Sequence, residues 1–89
     1  MLGEQPRDGD VQLYLGWAYA ANHDAERALA AFKAALKQNP NRLPALYGLA
    51  QAQLETGDLK SARASFLAVI ERDRSHIGAQ VGNAQIIEV

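Results

Sequence analysis

Two stretches decide how this chain folds: LGWAYAANHDAERALAAFKAALKQNP at residues 15–40 and LAQAQLETGDLKSARASFLAVIERDR at residues 49–74. They are offset by 34 residues. Leu15 falls on Leu49, Gly16 on Ala50, Ala18 on Ala52, Asp24 on Asp58, Ala28 on Ala62, Phe32 on Phe66 and Leu36 on Ile70. Small residues meet small ones, large meet large, and acid meets acid. A chance offset does not keep size classes aligned over so many positions, so the chain contains an internal repeat.

Each unit reads as a pair of helices. Leu15, Ala18 and Tyr19 follow i, i+3, i+4 spacing, as do Ala25, Ala28, Leu29, Phe32, Ala35 and Leu36. Ala and Leu dominate, and both are strong helix formers. No run shows the period-2 alternation of a half-buried strand. The breaks are short: Asn22-His23-Asp24, Asn39-Pro40-Asn41 and Thr56-Gly57-Asp58. Asp24 and Asp58 stand where an N-cap carboxylate accepts backbone N–H bonds and complements the helix dipole. Gly57 stands where a helix end calls for positive φ. Its counterpart His23 is among the residue types that visit that region more often than most. The pattern predicts five helices, at about 10–22, 24–38, 43–56, 58–73 and 77–88. The connections are short enough to make successive helices antiparallel neighbours.

Composition narrows the function classes. The chain has 89 residues, one domain's worth, with 48% hydrophobic residues and a formal net charge of -1. That balance argues against a nucleic-acid or anionic-membrane binder, which needs a basic surface. There is no Cys, so disulfides and thiolate metal sites are excluded and the redox compartment is not legible. No apolar run approaches the roughly 18 residues of a membrane span, and MLGEQPRDGD has no apolar stretch of a signal peptide. Compartment is left open, cytoplasmic being slightly favoured and periplasmic open to a fragment.

The residues resemble the tetratricopeptide repeat family, whose helix–turn–helix unit has this period. In the first unit Leu15-Gly16 is followed by Tyr19, Ala28-x3-Phe32, Ala35 and Pro40; Gln12 stands where a large residue is expected. In the second unit Leu46, Leu49, Ala50, Ala62 and Phe66 fit, while Gln53, Val69 and Arg74 replace the counterparts of Tyr19, Ala35 and Pro40. The physical logic is close approach of helices at Gly16, Ala28, Ala50 and Ala62, with Phe32 and Phe66 filling the space between one hairpin and the next. The resemblance implies an all-α fold of antiparallel helical hairpins stacked as a right-handed superhelix. Its divisions are residues 1–8 as the tail of a preceding repeat or a lead-in, 9–42 as repeat 1, 43–76 as repeat 2, and 77–89 as a capping helix or the first helix of a third repeat. Pro6 and Leu2 precede Pro40 and Leu36 by the same period, and 77–89 aligns with a first helix alone. The expectation is a fragment of a longer array; the alternative is a short protein with a frayed lead-in and a capping helix.

Catalysis finds little support. His23 falls in a tight turn and His76 in a linker, neither with a second ligand at helical spacing, so no metal site is expected. The glycines are scattered rather than gathered in a phosphate loop. Ser61, Ser65 and Ser75 lack a base and orienting acid. Catalytic residues, cofactors and metals are all expected to be absent.

A binding surface has a better case. The resemblance implies that first helices line a concave groove holding an extended peptide or a helix. Matching positions are Asp10, Leu13, Trp17, Ala20 and Ala21, then Pro44, Tyr47, Gln51, Leu54 and Glu55, then Gly78, Val81, Gln85 and Glu88. Residues 10, 13, 17 and 44, 47, 51 step i, i+3, i+7 and so share a face. Leu13, Trp17, Tyr47, Gln51, Leu54, Val81 and Gln85 are the expected partner-binding residues, with Leu15 and Tyr19 turned to the core. Members of the family that clamp a terminal carboxylate use Lys and Asn on these helices; Leu13, Trp17, Gly48, Gly78 and Gly82 stand here instead. An apolar or aromatic partner segment is therefore expected. The implied function is a non-catalytic scaffold or adaptor, with self-assembly through the ends, or a regulatory arm of a larger enzyme or secretion apparatus, as alternatives.

Overall fold

Short polar breaks between Ala- and Leu-rich segments fold the chain back on itself repeatedly. The computed structural model describes residues 8–86. Five helices follow one another: α1 (Asp8–Ala21), α2 (Ala25–Gln38), α3 (Leu43–Thr56), α4 (Leu59–Arg72) and α5 (Ile77–Ala84). Each packs against the next, and α1 also touches α3. The result is a stack of helical hairpins, an all-α repeat fold, measuring 52 × 27 × 19 Å.

The local signals act as expected. Asp24 Oδ1 accepts from Arg27 N at 3.3 Å and Asp58 Oδ1 from Ser61 N at 3.4 Å, satisfying N–H groups at the starts of α2 and α4. His23 and Gly57 both close their helices with positive φ, 61° and 89°. The last helix is shorter than expected: it ends at Ala84 instead of running to 88. Gly78, Gly82 and Asn83 are weak helix formers, and the Gln85 N–H already turns back to the Val81 and Gly82 carbonyls. Apart from Asp8, the expected lead-in at 1–8 lies outside the described residues, as do Ile87, Glu88 and Val89.

Two clusters form the core. One gathers Leu13, Ala28, Phe32, Ala35, Ala45, Leu49 and Ala52; the other Ala50, Ala62, Phe66, Val69 and Ala79. Phe32 and Phe66 are completely buried. Each ring presses on a glycine of the following hairpin. A β-carbon at Gly48 would lie 2.5 Å from Phe32 Cε1, and one at Gly82 would lie 2.5 Å from Phe66 Cε1. Real β-carbons do not approach that closely, so the two rings require bare backbone there.

Two expectations about the core need correction. Leu15 is 39% exposed, whereas Leu49, one repeat later, is only 8% exposed. Leu49 packs in the cluster built around α2; among the described residues no helix covers Leu15 from the corresponding side. Leu13, expected on the groove, is 6% exposed and belongs to the first core cluster. It shares that cluster with Ala28, Phe32 and Ala35 of α2 and with Ala45, Leu49 and Ala52 of α3.

Candidate functional site

The first helices α1, α3 and α5 present a row of rings. Trp17 of α1 is half-buried, its ring 5.1 Å from Phe32 in an edge-on arrangement and 6.4 Å from Tyr47 of α3. Tyr47, also half-buried, lies 6.1 Å from Phe66 beneath it and 4.7 Å from the His76 ring at the start of α5. The two buried phenylalanines thus form a floor, and Trp17, Tyr47 and His76 stand above it. Such edge and tilted ring contacts add to the burial of apolar area.

Polar groups hold Tyr47 in place. Gln51 Nε2 donates to Tyr47 Oη at 2.9 Å, one helical turn away. That hydroxyl also lies over Gly78, where a β-carbon would come within 2.5 Å of it. His76 is fixed as the N-cap of α5: its Nδ1 accepts from Ala79 N at 3.0 Å. The turn before it is shaped by Asp73, whose Oδ1 accepts from Ser75 Oγ at 2.7 Å and Ser75 N at 3.1 Å. These two bonds, the hydroxyl's first, hold the Asp73 carboxyl below its usual range.

Beside the rings, Ala20, Ala25, Gln51, Ala52, Leu54 and Glu55 line an open pocket of about 300 Å³. Glu55 Oε2 stands 3.7 Å from His23 Nδ1 at its rim. Of the residues expected on the groove, Trp17, Tyr47, Gln51 and Leu54 are therefore brought together, whereas Leu13 is withdrawn into the core. Val81 and Gln85 are exposed on α5 and just past its end. Asp10 and Glu88 fall where no side chain is described.

His76 was not expected at this site. Its ring caps α5 and leans on Tyr47 in a tilted contact at once, which spacing within one helix cannot signal, because it sits in the turn before the helix. From Val11 to Ala21, Leu43 to Thr56 and Ile77 to Ile86 the sole charged residue is Glu55, while α2 and α4 carry Glu26, Arg27, Lys33, Lys37, Lys60, Arg63, Glu71 and Arg72. Apart from Asp8 and Asp10 in the first turn of α1, charge is gathered on the second helices, leaving the rest of the first-helix row with Glu55 alone.

Gln53 shows how a departure from the repeat pattern is absorbed. It is 9% exposed where the first repeat has Tyr19, and its Oε1 accepts from Ser65 Oγ at 2.7 Å. A buried amide oxygen without that donor is costly. Ser65 is thus a structural hydroxyl.

Among the described residues no three His, Cys, Asp or Glu side chains converge as metal ligands, and no helix is long and apolar enough to cross a membrane. The family model described as tetratricopeptide repeat matches residues 19–83. No curated protein matches the chain.

Proposed function

Because the chain belongs to the tetratricopeptide repeat family, a family of protein–protein interaction modules, we propose that it binds a peptide segment with apolar or aromatic side chains along the Trp17–Tyr47–Gln51–Leu54 row. The observation that carries the proposal is the pairing of two half-buried rings, 6.4 Å apart, with an adjoining pocket of about 300 Å³ on a nearly uncharged face. Rings that are partly covered and laterally braced lose little freedom on binding. Large amphipathic side chains of this kind dominate protein recognition. The neutral face favours burial over charge pairing as the source of affinity, and Tyr47 Oη, Gln51 and Glu55 supply the polar edge that would orient a backbone.

The test is selection of binding peptides from a display library, followed by titration against variants. Trp17→Ala should weaken the selected peptides by about 2 kcal/mol or more, with helix content intact by circular dichroism. Trp17 also packs on Phe32, so a second variant is needed. Gln51 is exposed, and Gln51→Arg places a charge beside the Tyr47 ring while losing one exposed hydrogen bond to Tyr47 Oη. It should lower the melting temperature only slightly, the lost bond being exposed, and still weaken binding. Selected peptides that bind Gln51→Arg as tightly as the parent, or that map to Lys33, Lys37 and Arg63 on the second helices, would exclude the groove.

A further inference from the structure

Beyond the first turn of α1, the paired first helices α1 and α3 carry a single charged side chain. From Val11 to Ala21 and from Leu43 to Thr56 that residue is Glu55. It stands at the open pocket of about 300 Å³ where the end of α1, the start of α2 and the end of α3 meet, with Ala20, Ala25 and Leu54 as apolar walls. Its ion-pair neighbour is His23, whose Nδ1 lies 3.7 Å from Glu55 Oε2. An imidazole answers a carboxylate's charge only when protonated, and the His23 side chain is 88% exposed, so a permanent cation meets little competition from it.

The backbone adds to the carboxylate. Ala20 lies in the last turn of α1, and Leu54 and Glu55 lie in the last turn of α3. Helix C-termini carry partial negative charge and favour cations. α2 and α4 hold Lys37 and Arg72 in their last turns, but neither α1 nor α3 has a basic residue there. α2 begins at the same pocket with the opposite polarity, and Asp24 answers it as the N-cap, accepting from Arg27 N. Arg27, the first basic residue of α2, is drawn to that carboxylate at 3.4 Å and lies over the Tyr19 ring at 6.0 Å. A cavity, a carboxylate and two helix ends of one sign therefore meet in one place.

We propose that this pocket seats a lysine or arginine side chain of the partner peptide; the seat rests on that peptide lying along the Trp17–Tyr47 row. Tyr47 and Glu55 are eight residues apart on α3, about 12 Å along its axis. An extended peptide covers that distance in about four residues, and side chains four apart in such a strand face the same way. The matching partner thus presents a large apolar or aromatic side chain to the rings and a basic one four residues from it. The rings supply the burial, while the lone charge sets the register and rejects acidic segments.

The probe is a library of random peptides displayed on phage and selected against the full chain, with a bound peptide then labelled with fluorescein and titrated by anisotropy. Selected peptides should carry Lys or Arg about four residues from an apolar or aromatic anchor. Replacing that basic residue by glutamine should weaken binding about fivefold, the upper range for an exposed ion pair. Glu55→Gln should weaken the parent peptide equally, and the two changes together should cost no more than either alone. Glu55 is exposed and a lysine suits a helix C-terminus, so Glu55→Lys should keep its melting temperature. It should bind the basic peptide still more weakly, and a peptide with glutamate in the basic position should prefer Glu55→Lys to the parent protein. Peptides that lose affinity to Gln51→Arg but are indifferent to Glu55→Gln would overturn the cation seat and leave the groove standing. Peptides that bind Gln51→Arg as tightly as the parent, or a selection that yields no binder, would overturn the seat and the groove together.

Discussion

The joint between α2 and α3 and the joint between α4 and α5 use the same device, a buried phenylalanine pressed onto a glycine of the next helix, yet they are not equally secure. In the first, Leu49 adds an apolar side chain 8% exposed, and α3 is itself covered by α4. In the second, Asn83 stands in place of Leu49, and its Oδ1 is buried without a hydrogen-bond partner among the described residues. α5 is short, 8 residues against 14 for α3, and its outer side is open at Ile77 and Val81. A repeated sequence position therefore does not carry a repeated energy. What a residue contributes depends on which neighbours exist to bury it.

The largest test of that contrast is a single methyl group. Gly48→Ala would place a β-carbon 2.5 Å from Phe32 Cε1 and 2.8 Å from Cε2. Overpacking costs about 1–3 kcal/mol, and the helix propensity of Ala returns about 1 kcal/mol. Phe32 is enclosed on all sides, so the cost should prevail and the urea midpoint should fall. Gly82→Ala meets Phe66 just as closely, at 2.5 Å from Cε1, but among the described residues no helix packs on the far side of α5, where Ile77 and Val81 are exposed. Its net effect should be near zero. Equal losses in the two variants would show that the α5 joint is as rigid as the inner one.

Asn83→Leu is the complementary repair. It removes an unsatisfied buried acceptor, worth roughly 1–3 kcal/mol, and restores the residue type of Leu49. Asn83 is only partly buried, so a gain of about 1 kcal/mol is expected in urea unfolding. Amide hydrogen exchange should slow in α5 more than in α3. A neutral or destabilising outcome would mean that the amide finds water, and that the weakness of the joint lies elsewhere.

A smaller contrast sits in the turns. His23 and Gly57 are equivalent, both with positive φ, but only glycine adopts that conformation without penalty. Relief of the left-handed conformation is worth about 1–2 kcal/mol, offset by the 0.5–1 kcal/mol or so that glycine loses in chain entropy. His23→Gly should therefore stabilise by about 0.5 kcal/mol, read as a small rise in melting temperature. The exposed His23–Glu55 pair it removes contributes little.

The smallest effect is in pH. Ser75 holds the Asp73 carboxyl below its usual range, so its stabilisation is complete above the unfolded carboxylate value, about 3.9. It is lost as pH falls through the lower folded value. Asp73→Asn should narrow the gap to the parent only in that acid window. A difference that persists unchanged through it would assign the effect to turn geometry instead of charge.

Much of the fold was legible in sequence because its signals are local. The paired turns, the aspartate caps and the helical spacing of Ala and Leu act within a few residues, and the period joins them into hairpins. The ring pair Trp17 and Tyr47 was legible for the same reason, since spacing along each helix places both on one side. Leu13 was misread because the same spacing cannot distinguish a groove side chain from one folded under its neighbour. His76 was missed because its contact with Tyr47 is made across two elements.

By itself the sequence determined the period, the helix boundaries to within a turn in most cases, and the small residues that admit close crossings, since each follows from backbone chemistry and side-chain size. Only the tertiary structure decided that Gly48 and Gly82 are the seats of Phe32 and Phe66, that Leu49 is buried while Leu15 is exposed, and that Asn83 Oδ1 is buried with no hydrogen-bond partner among the described residues. Those outcomes depend on which helix lies alongside, and burial is a property of a pair of surfaces that no single segment contains.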